Sequence, residues 1–144
     1  MKAKSPIPAK YNRVMPYITI SNALNFVNFT KTVFDAQEMT RMGPPGGKIM
    51  HGEIKIADSV VMFCDASYDN PAESVCLMVY VENVDETYKK ALAAGAKSRS
   101  EPINQFYGDR IAKIQDPSGV HWAISSRMED LTEEEMRQRA RGNQ

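Results

Sequence analysis

Three side chains in the 144-residue sequence have the chemistry of general acid–base catalysis: His51, Glu53 and His121. His51 and His121 are the only histidines, and histidine is the residue that titrates closest to neutral pH. On a strand, His51 and Glu53 would share one face at roughly 7 Å, where a carboxylate can orient an imidazole or share a ligand with it. No nucleophile or phosphate loop accompanies them, so we favour the alternative that they are polar residues lining a binding pocket.

The two cysteines, Cys64 and Cys76, are too few for a disulfide framework. Cys76 is a candidate nucleophile if a histidine lies nearby, although a buried cysteine is more often an inert small apolar residue. Reduced thiols are typical of the cytoplasm, so we predict a cytoplasmic protein. Residues 1–13 form a polar leader without the apolar stretch of a secretory signal, which agrees with that location.

The charge balance argues against two classes of partner. Eighteen Lys and Arg residues cancel eighteen Asp and Glu residues, so no net field attracts nucleic acid or an anionic membrane. The longest apolar run, residues 59–64, is far shorter than the roughly 20 residues of a membrane-spanning helix. We therefore predict no nucleic-acid and no membrane partner, and we expect a small-molecule ligand.

Two segments are candidate sites for phosphate or carboxylate groups. Residues 43–47 (GPPGG) lack the Lys-Ser/Thr ending of a phosphate-binding loop, and nothing resembles the glycine-rich loop of dinucleotide-binding folds, so no cofactor is predicted. Arg110 can fork a carboxylate or phosphate, or it pairs with Asp109 or Asp116. Residues 108–110 are equally well interpreted as a simple turn.

Hydrophobic periodicity predicts the elements that hold these residues. Residues 14–20 alternate as a strand, Asn22 is a helix N-cap, and apolar residues follow at helical spacing to Phe34. Residues 37–42, 48–56 and 59–64 are predicted as three further strands, and the last two are joined by a tight turn at Asp58. The order is strand, helix, strand, strand, strand.

The same order returns after a polar loop at residues 65–73. Residues 75–81 predict a strand, Asn83 and Glu86 form a capping box, and Gly95 ends the helix. Residues 97–101, 110–115 and 120–126 predict three strands, the last two joined by a type I turn at Asp116. The helix caps lie 61 residues apart and the final turns 58, so we predict an internal repeat with units 14–65 and 74–127 within one domain, 14–128.

Residues 129–144 are predicted as a C-terminal helix and tail. Thr132 and Glu135 form a capping box, and the pairs Glu133/Arg137 and Glu135/Arg139 support the helix. Its apolar surface is small, so we expect it to pack at one edge of its own subunit or of a partner.

Six short segments resemble one protein superfamily. They are residues 16–20 (PYITI), 47–54 (GKIMHGEI), 58–62 (DSVVM), 105–110 (QFYGDR), 116–122 (DPSGVHW) and 129–136 (EDLTEEEM). With the doubled unit, they resemble the glyoxalase/bleomycin-resistance/dioxygenase superfamily, also called vicinal oxygen chelate proteins, and within it the PhnB-like branch. The resemblance implies an α+β fold in which tandem βαβββ units form a curled mixed sheet cup with helices outside. It also implies a homodimer, but no single reaction, because similar scaffolds host lyases, dioxygenases, thiol transferases and drug-sequestering proteins.

Metal-dependent members of this superfamily place His and Glu ligands on the first and last strand of each unit. The resemblance puts these four positions at Met15, Met62, Cys76 and Ala123. A hard or borderline divalent ion needs oxygen or imidazole donors, which this set lacks, although its sulfur atoms would suit a soft ion such as Cu(I). Methionine also adapts to fill an apolar pocket, and we favour that interpretation, so the usual metal site is predicted to be absent.

Strand alternation from this register predicts which side chains line the cup. Ile54 and Ile56 take the helix side of their strand and leave His51 and Glu53 on the cup side. Together with His121, these two are also candidates for a displaced metal set. Trp122 is predicted to face the helices. The predicted ligand-binding residues are Tyr17, Thr19, Met62, Cys76, Met78, Tyr80, Phe106, Tyr107 and Arg110, the last three at the mouth of the cup.

Three functions follow, in the order in which we rank them. The first is a metal-independent protein that binds or sequesters a small, partly aromatic molecule. The second is a lyase, isomerase or oxygenase that uses His51, Glu53 or His121 as acid, base or shifted metal ligand. The third is an interaction module whose charged C-terminal helix docks a partner.

Overall fold

The chain forms two compact units with the same order of elements. A computed structural model describes residues 1–142; unit 1 spans Met1–Glu73, and unit 2 begins at Ser74. Unit 1 contains β1 (Tyr17–Ile20), α1 (Ala23–Phe34), β2 (Gln37–Met42), β3 (His51–Ile56) and β4 (Ser59–Asp65). Unit 2 contains β5 (Cys76–Tyr80), α2 (Val84–Ala93), β6 (Lys97–Asn104), β7 (Asp109–Gln115), β8 (His121–Arg127) and α3 (Glu133–Gly142).

Each unit is built on a four-stranded mixed sheet, and the two sheets have the same topology. The strand orders are β1-β4-β3-β2 and β5-β8-β7-β6. In both sheets the first and last strands of the unit pair in parallel and the remaining neighbours are antiparallel. The helix of each unit packs on one face, with α1 against β2, β3 and β4, and α2 against β6, β7 and β8. These features confirm the predicted α+β fold and its repeat; the face opposite the helix is called the open face of each unit below.

The core of unit 1 lies between its sheet and α1. Ile18, Ile54 and Phe63 alternate onto the helix side of β1, β3 and β4 and are buried. Phe26 of α1 meets Phe63 edge-on, with 5.1 Å between the ring centroids. A Cβ at Gly52 would overlap the Phe63 ring, so this close packing needs a glycine in β3.

The core of unit 2 is assembled in the same way. Ile114 and Ile124 are fully buried, and Trp122 is 2% exposed, as the predicted orientation toward the helix requires. On the helix itself, Val84 and Ala91 are the buried residues. Removing these apolar side chains from water is the main source of stability for the unit.

The turn between β7 and β8 is organised by a buried carboxylate. Asp116 accepts hydrogen bonds from the backbone N–H groups of Ser118 (2.7 Å) and Val120 (3.2 Å) and from the Trp122 indole (2.8 Å). The Gly119 N–H donates to the Asp116 carbonyl at 3.0 Å, which closes the predicted turn. These contacts tie the end of β7 to the start of β8.

Three strand boundaries differ from the predicted ones by three residues, and the others agree to within one residue. β1 begins at Tyr17 and β3 begins at His51, each three residues later than expected. Before β3, the Asp65 carboxylate accepts the Ile49 N–H at 2.6 Å, so a side chain takes this one donor, while the Ile49 carbonyl still accepts the Asp65 N–H at 2.8 Å. β6 continues to Asn104 through Pro102, which is tolerated because β6 is an edge strand.

The predicted helix caps are confirmed. Asn22 accepts from the Asn25 N–H at 3.0 Å, and Asn83 accepts from the Glu86 N–H at 3.1 Å. Before α3, the Glu135 N–H donates to the Thr132 hydroxyl at 3.2 Å.

The C-terminal helix differs from the prediction in one ion pair. Arg137 contacts Glu133 at 3.2 Å as expected, but Arg139 binds Glu129 at 2.7 Å instead of Glu135, whose carboxylate is held by the cap. α3 has no buried residue among those described, and Asn143 and Gln144 of the predicted tail lie outside the described residues. None of the helices within residues 1–142 combines the length and apolar character of a membrane span.

Candidate functional site

The open face of unit 1 carries five of the predicted site residues. Tyr17 and Glu53 are both Cα partners of Met62, and Thr19 is the partner of Cys64. Partners on neighbouring strands share a face, so these side chains lie opposite α1. The five predicted residues on this face are Tyr17, Thr19, His51, Glu53 and Met62, and Met15 lies just before β1.

His51 lies between Tyr17 and Glu53. Its Nδ1 is 3.5 Å from the Tyr17 hydroxyl, and its Nε2 is 3.7 Å from Glu53 Oε2. Burial, together with the nearby Cys64 thiol, raises the pKa of Tyr17 above its ordinary value. The phenol is therefore protonated at neutral pH and available as a donor to the imidazole. The structure thus brings two of the three predicted acid–base residues together.

Glu53 is a buried carboxylate whose partners come partly from the leader. Only 2% of the residue is exposed, the Tyr11 hydroxyl donates to its Oε1, and Lys10 Nζ lies 3.8 Å away. Burial acts to raise the pKa of Glu53, but hydrogen bonds from Tyr11 and Thr40 and the charges of Lys10 and His51 outweigh it and lower the pKa. Such a carboxylate is suited to orienting His51 and poorly suited to accepting a proton itself.

The open face of unit 2 contains a cavity. Cys76 is the Cα partner of His121, and Met78 is the partner of Ala123, so these four predicted residues share one face. A cavity of about 370 Å³ opens there, which lies in the range of roughly 300–1,000 Å³ typical of small-molecule sites. Its wall consists of Cys76, Arg99, Ser100, Lys113, Ile114, His121, Trp122 and Ala123.

Two cations in this cavity were not among the predicted site residues. Arg99 Nη1 lies 2.9 Å from His121 Nδ1, and Lys113 is the Cα partner of Ala123. Alternation would have found Lys113, because Ala112 and Ile114 take the helix side of β7. Arg99 gives no such signal, because the register of β6 shifts between Ser98 and Ser100.

A second buried carboxylate lies on the open face of unit 2, outside the wall of the cavity. Asp109 is 3% exposed; it accepts from the Tyr80 hydroxyl at 3.1 Å and from Ser125 at 3.3 Å, and Arg127 Nε is 3.2 Å away. Tyr80, a predicted ligand contact, is therefore already bound to a protein group. Burial, followed by the charge of Asp109, raises the pKa of the nearby Tyr107.

The remaining predicted residues lie around the turn between β6 and β7. Phe106 and Tyr107 contact each other edge-on, with 5.2 Å between ring centroids. Arg110 forms a two-pronged pair with Asp85 of α2 at 2.8 and 2.9 Å, and its Nη1 donates to Asn104 at 3.0 Å. The expected pairing of Arg110 with Asp109 or Asp116 is wrong, because the side chain points to the helix side of the sheet.

The positions that the resemblance assigns to metal ligands do not fit a divalent cation. Met15 and Met62 in unit 1 supply thioethers, and Cys76 and Ala123 in unit 2 supply a thiol and a methyl group. None of these is an oxygen or imidazole donor, and a single thiol with two thioethers does not make the ligand set of a hard or borderline divalent ion. Within residues 1–142, no three His, Cys, Asp or Glu side chains are grouped so that they could hold a metal ion.

Comparisons with known proteins agree with the fold. The family model described as Glyoxalase/Bleomycin resistance protein/Dioxygenase superfamily matches residues 14–124. An uncharacterised protein of Mycobacterium bovis is 27% identical over 132 residues, which cover 84% of this chain and 87% of that protein.

Two solved structures extend the comparison. TioX from Micromonospora sp. ML1 has a TM-score of 0.67 at 20% identity, covering 81% of this chain and 99% of its own. The fosfomycin resistance protein FosX from Listeria monocytogenes, crystallised with Mn(II) and a sulfate ion, has a TM-score of 0.58 at 14% identity, covering 86% of this chain and 95% of its own. At these identities the likeness shows the fold alone.

Proposed function

Since the chain belongs to the glyoxalase/bleomycin-resistance/dioxygenase superfamily, we propose that it binds a small organic molecule without the divalent metal of metal-dependent members. The observation that carries the proposal is the cavity in unit 2. Ala123, at a position where the resemblance expects a metal ligand, contributes only a methyl group to its wall. The cavity has the volume of a small-molecule site and combines apolar with polar side chains, as binding pockets do.

In unit 2, Cys76 and Met78 are proposed to contact the ligand, because they lie on β5 beside the cavity strand β8. Tyr17, Thr19 and Met62 lie on the open face of unit 1 and are proposed as ligand contacts of that face. Tyr80, Phe106 and Tyr107 add aromatic surface, and Phe106 is 36% exposed. Arg110 lacks geometric support for this role, because its guanidinium is bound to Asp85 and Asn104.

We also propose the PhnB-like branch, a homodimer and a cytoplasmic location. The turn at Asp116 and the cap at Thr132, in two of the segments that carry the resemblance, are both formed and support the branch. The free thiols of Cys64 and Cys76, the latter exposed, suit a reducing compartment. The helix α3 buries none of its described residues and so offers surface to a second subunit.

Native mass spectrometry of the purified protein, with elemental analysis of the same sample, tests this function. We expect the mass of a dimer, a retained organic molecule that EDTA treatment does not release, and no stoichiometric divalent metal. Ala123→Leu should fill part of the cavity and abolish retention, whereas Ala93→Leu on the exposed surface of α2 should not. A stoichiometric metal whose removal releases the ligand would refute the proposal.

The contact between His51 and Glu53 favours a second candidate function, an enzyme of the lyase, isomerase or oxygenase kind. In that case His51 transfers the proton and Glu53 orients the imidazole ring of His51. His121 serves as acid or base in unit 2. The same experiment separates the two functions, because the released ligand can be incubated with fresh protein. A change in the mass or the chromatographic retention of the ligand that disappears in His51→Ala or His121→Ala establishes catalysis, whereas a ligand unchanged in both leaves binding alone.

A further inference from the structure

We propose that the cavity of unit 2 is an anion site, so that the molecule bound there carries a carboxylate or a phosphate group. This inference rests on the proposed binding function and adds the chemical class of its ligand. It is carried by the cavity residues Arg99, Lys113, His121 and Ser100, none of which is an acid.

The cations of the cavity are not neutralised by protein groups. Neither Arg99 nor Lys113 has an ion-pair partner within 4.0 Å among residues 1–142, and no carboxylate belongs to the cavity wall. The nearest acid in the sheet ladder of β7, Asp109, is already held by Tyr80, Ser125 and Arg127. An anion that enters the cavity therefore meets two positive charges and no competing carboxylate.

Arg99 also sets the protonation pattern of His121. A guanidinium only donates hydrogen bonds, so the 2.9 Å contact makes His121 Nδ1 the acceptor. In the tautomer that fits this contact, the proton of the ring lies on Nε2, which leaves an N–H group to donate to a ligand. Arg99 thus acts as a positioning residue for His121 as well as a charge.

The donor set matches the geometry of oxyanions. Arginine has five N–H groups in a planar fork, and only one of them is used on His121 in this contact, so the others remain for the two or three oxygens of a carboxylate or phosphate. The Ser100 hydroxyl, on the Cα partner of Lys113, adds a neutral donor. Lys113 supplies a point charge, which attracts any anion without selecting its shape.

Cys76 makes the field in this cavity measurable. It is exposed, whereas Cys64 is buried, so an alkylating reagent reaches Cys76 first. Iodoacetate and iodoacetamide both form an S–CH₂ bond to the thiolate with loss of iodide, and they differ in charge. The ratio of their rate constants at Cys76, in a Cys64→Ala background, therefore reports the local potential.

We expect Arg99→Gln and Lys113→Gln each to lower the iodoacetate-to-iodoacetamide ratio about threefold, because in water one unit charge several ångströms away changes the energy of an anion by roughly RT, which corresponds to about that factor in a rate constant. Arg99→Lys keeps the charge and should keep the ratio, and Lys90→Gln on α2 is the matched control outside the cavity. About 1 M salt should bring the wild-type ratio down toward that of the variants. A ratio that stays the same in all variants and at all salt concentrations would overturn the proposal.

Protection of Cys76 from iodoacetamide then identifies the oxyanion. At constant ionic strength, protection by acetate indicates a carboxylate ligand and protection by inorganic phosphate indicates a phosphorylated one; either supports the site. Equal protection by neutral acetamide, or none by either anion, contradicts it. If the purified protein retains a neutral molecule displaced by Ala123→Leu, the anion site fails while the binding function stands. If the alkylation ratio depends on the charges at positions 99 and 113 but the purified protein retains no molecule, the anion site stands while the binding function lacks support.

Discussion

The open faces of the two units carry opposite charges at equivalent positions. In unit 1 the Cα partners across the sheet run Tyr17, Met62, Glu53 and Thr40. In unit 2 the corresponding partners run Met78, Ala123, Lys113 and Ser100. Tyr17 and Met78 each lie five residues before the N-cap of their helix, so the two ladders match. A carboxylate in unit 1 is thus replaced by an ammonium group in unit 2.

One register shift occurs at the equivalent place in both sheets, although β6 has a second shift, between Ser100 and Ile103, that β2 lacks. The register shifts between Glu38 and Thr40 in β2 and between Ser98 and Ser100 in β6. The residue inside the shift is Met39 in unit 1 and Arg99 in unit 2. The repeat therefore preserved the backbone, including its bulge, while the side chains at the same places diverged from acidic and apolar to basic.

The two open faces differ in whether their charged side chains already have partners within the protein. Glu53 is buried and receives its partners from within unit 1, namely Tyr11, Lys10 and His51. Arg99 and Lys113 have no ion-pair partner among residues 1–142 and border a cavity. A buried charge must be paired within the protein, whereas an exposed charge can remain unpaired until a ligand binds. Unit 2 is therefore the better candidate for ligand binding.

The largest expected effect concerns the turns that join the last two strands of each unit. Asp116→Ala removes the acceptor of two backbone N–H groups and of the Trp122 indole, which should lower the free energy of unfolding by about 3 kcal/mol. The equivalent Asp58 is exposed, and within residues 1–142 its carboxylate accepts a side-chain hydrogen bond from the Ser59 hydroxyl alone. Asp58→Ala should therefore cost less than about 0.5 kcal/mol in urea unfolding. Similar losses for both variants would show that the two turns do not differ as described.

A smaller loss of stability is expected when the hydrogen bond between the leader, residues 1–13, and Glu53 is removed. Tyr11→Phe removes a hydrogen bond to the buried, ionised Glu53 and should lower the free energy of unfolding by about 2 kcal/mol at neutral pH. Tyr68→Phe, at a fully exposed residue, is the matched control and should be neutral. If both variants unfold at the same urea concentration, the leader does not stabilise the carboxylate.

Most of the backbone could be predicted from the sequence because its signals are local. Asn22 and Asn83 indicate where the helices begin, because each side chain caps a helix N-terminus. The alternation of Ile54 and Ile56 places His51 and Glu53 on the open face. Strand ends were less predictable: Asp65 competes with the ladder at Ile49 through a side chain from another strand. Such contacts depend on tertiary structure and leave no periodic signal.

The site could be predicted only where alternation holds. Lys113 obeys it, but Arg99 lies at a register shift, where the period of two breaks. Tyr11 comes from a segment without helix or strand, so no pattern linked it to Glu53. The helix-side orientation of Arg110 followed from its place two residues before Ala112, but a nearby turn obscured it. The ligand-binding and catalytic roles of the predicted residues stay predictions.

The smallest expected effect is on the pH dependence of stability. It is tested by comparing substitutions of Glu53 and Lys113, which occupy equivalent positions in the two sheets. Because the pKa of Glu53 is lowered from 4.5 in the folded protein, the unfolded chain takes up its proton first as the pH falls. The stability it contributes is present above about pH 4.5 and is lost as the pH falls through the folded pKa. Glu53→Gln should therefore flatten the acid limb by at most one proton, or about 1.4 kcal/mol per pH unit. Lys113→Gln, at the equivalent position of unit 2, should keep the wild-type slope, since this substitution removes no carboxylate. An acid limb unchanged by Glu53→Gln would mean that the carboxylate is not held in its ionised form by Tyr11, Lys10 and His51.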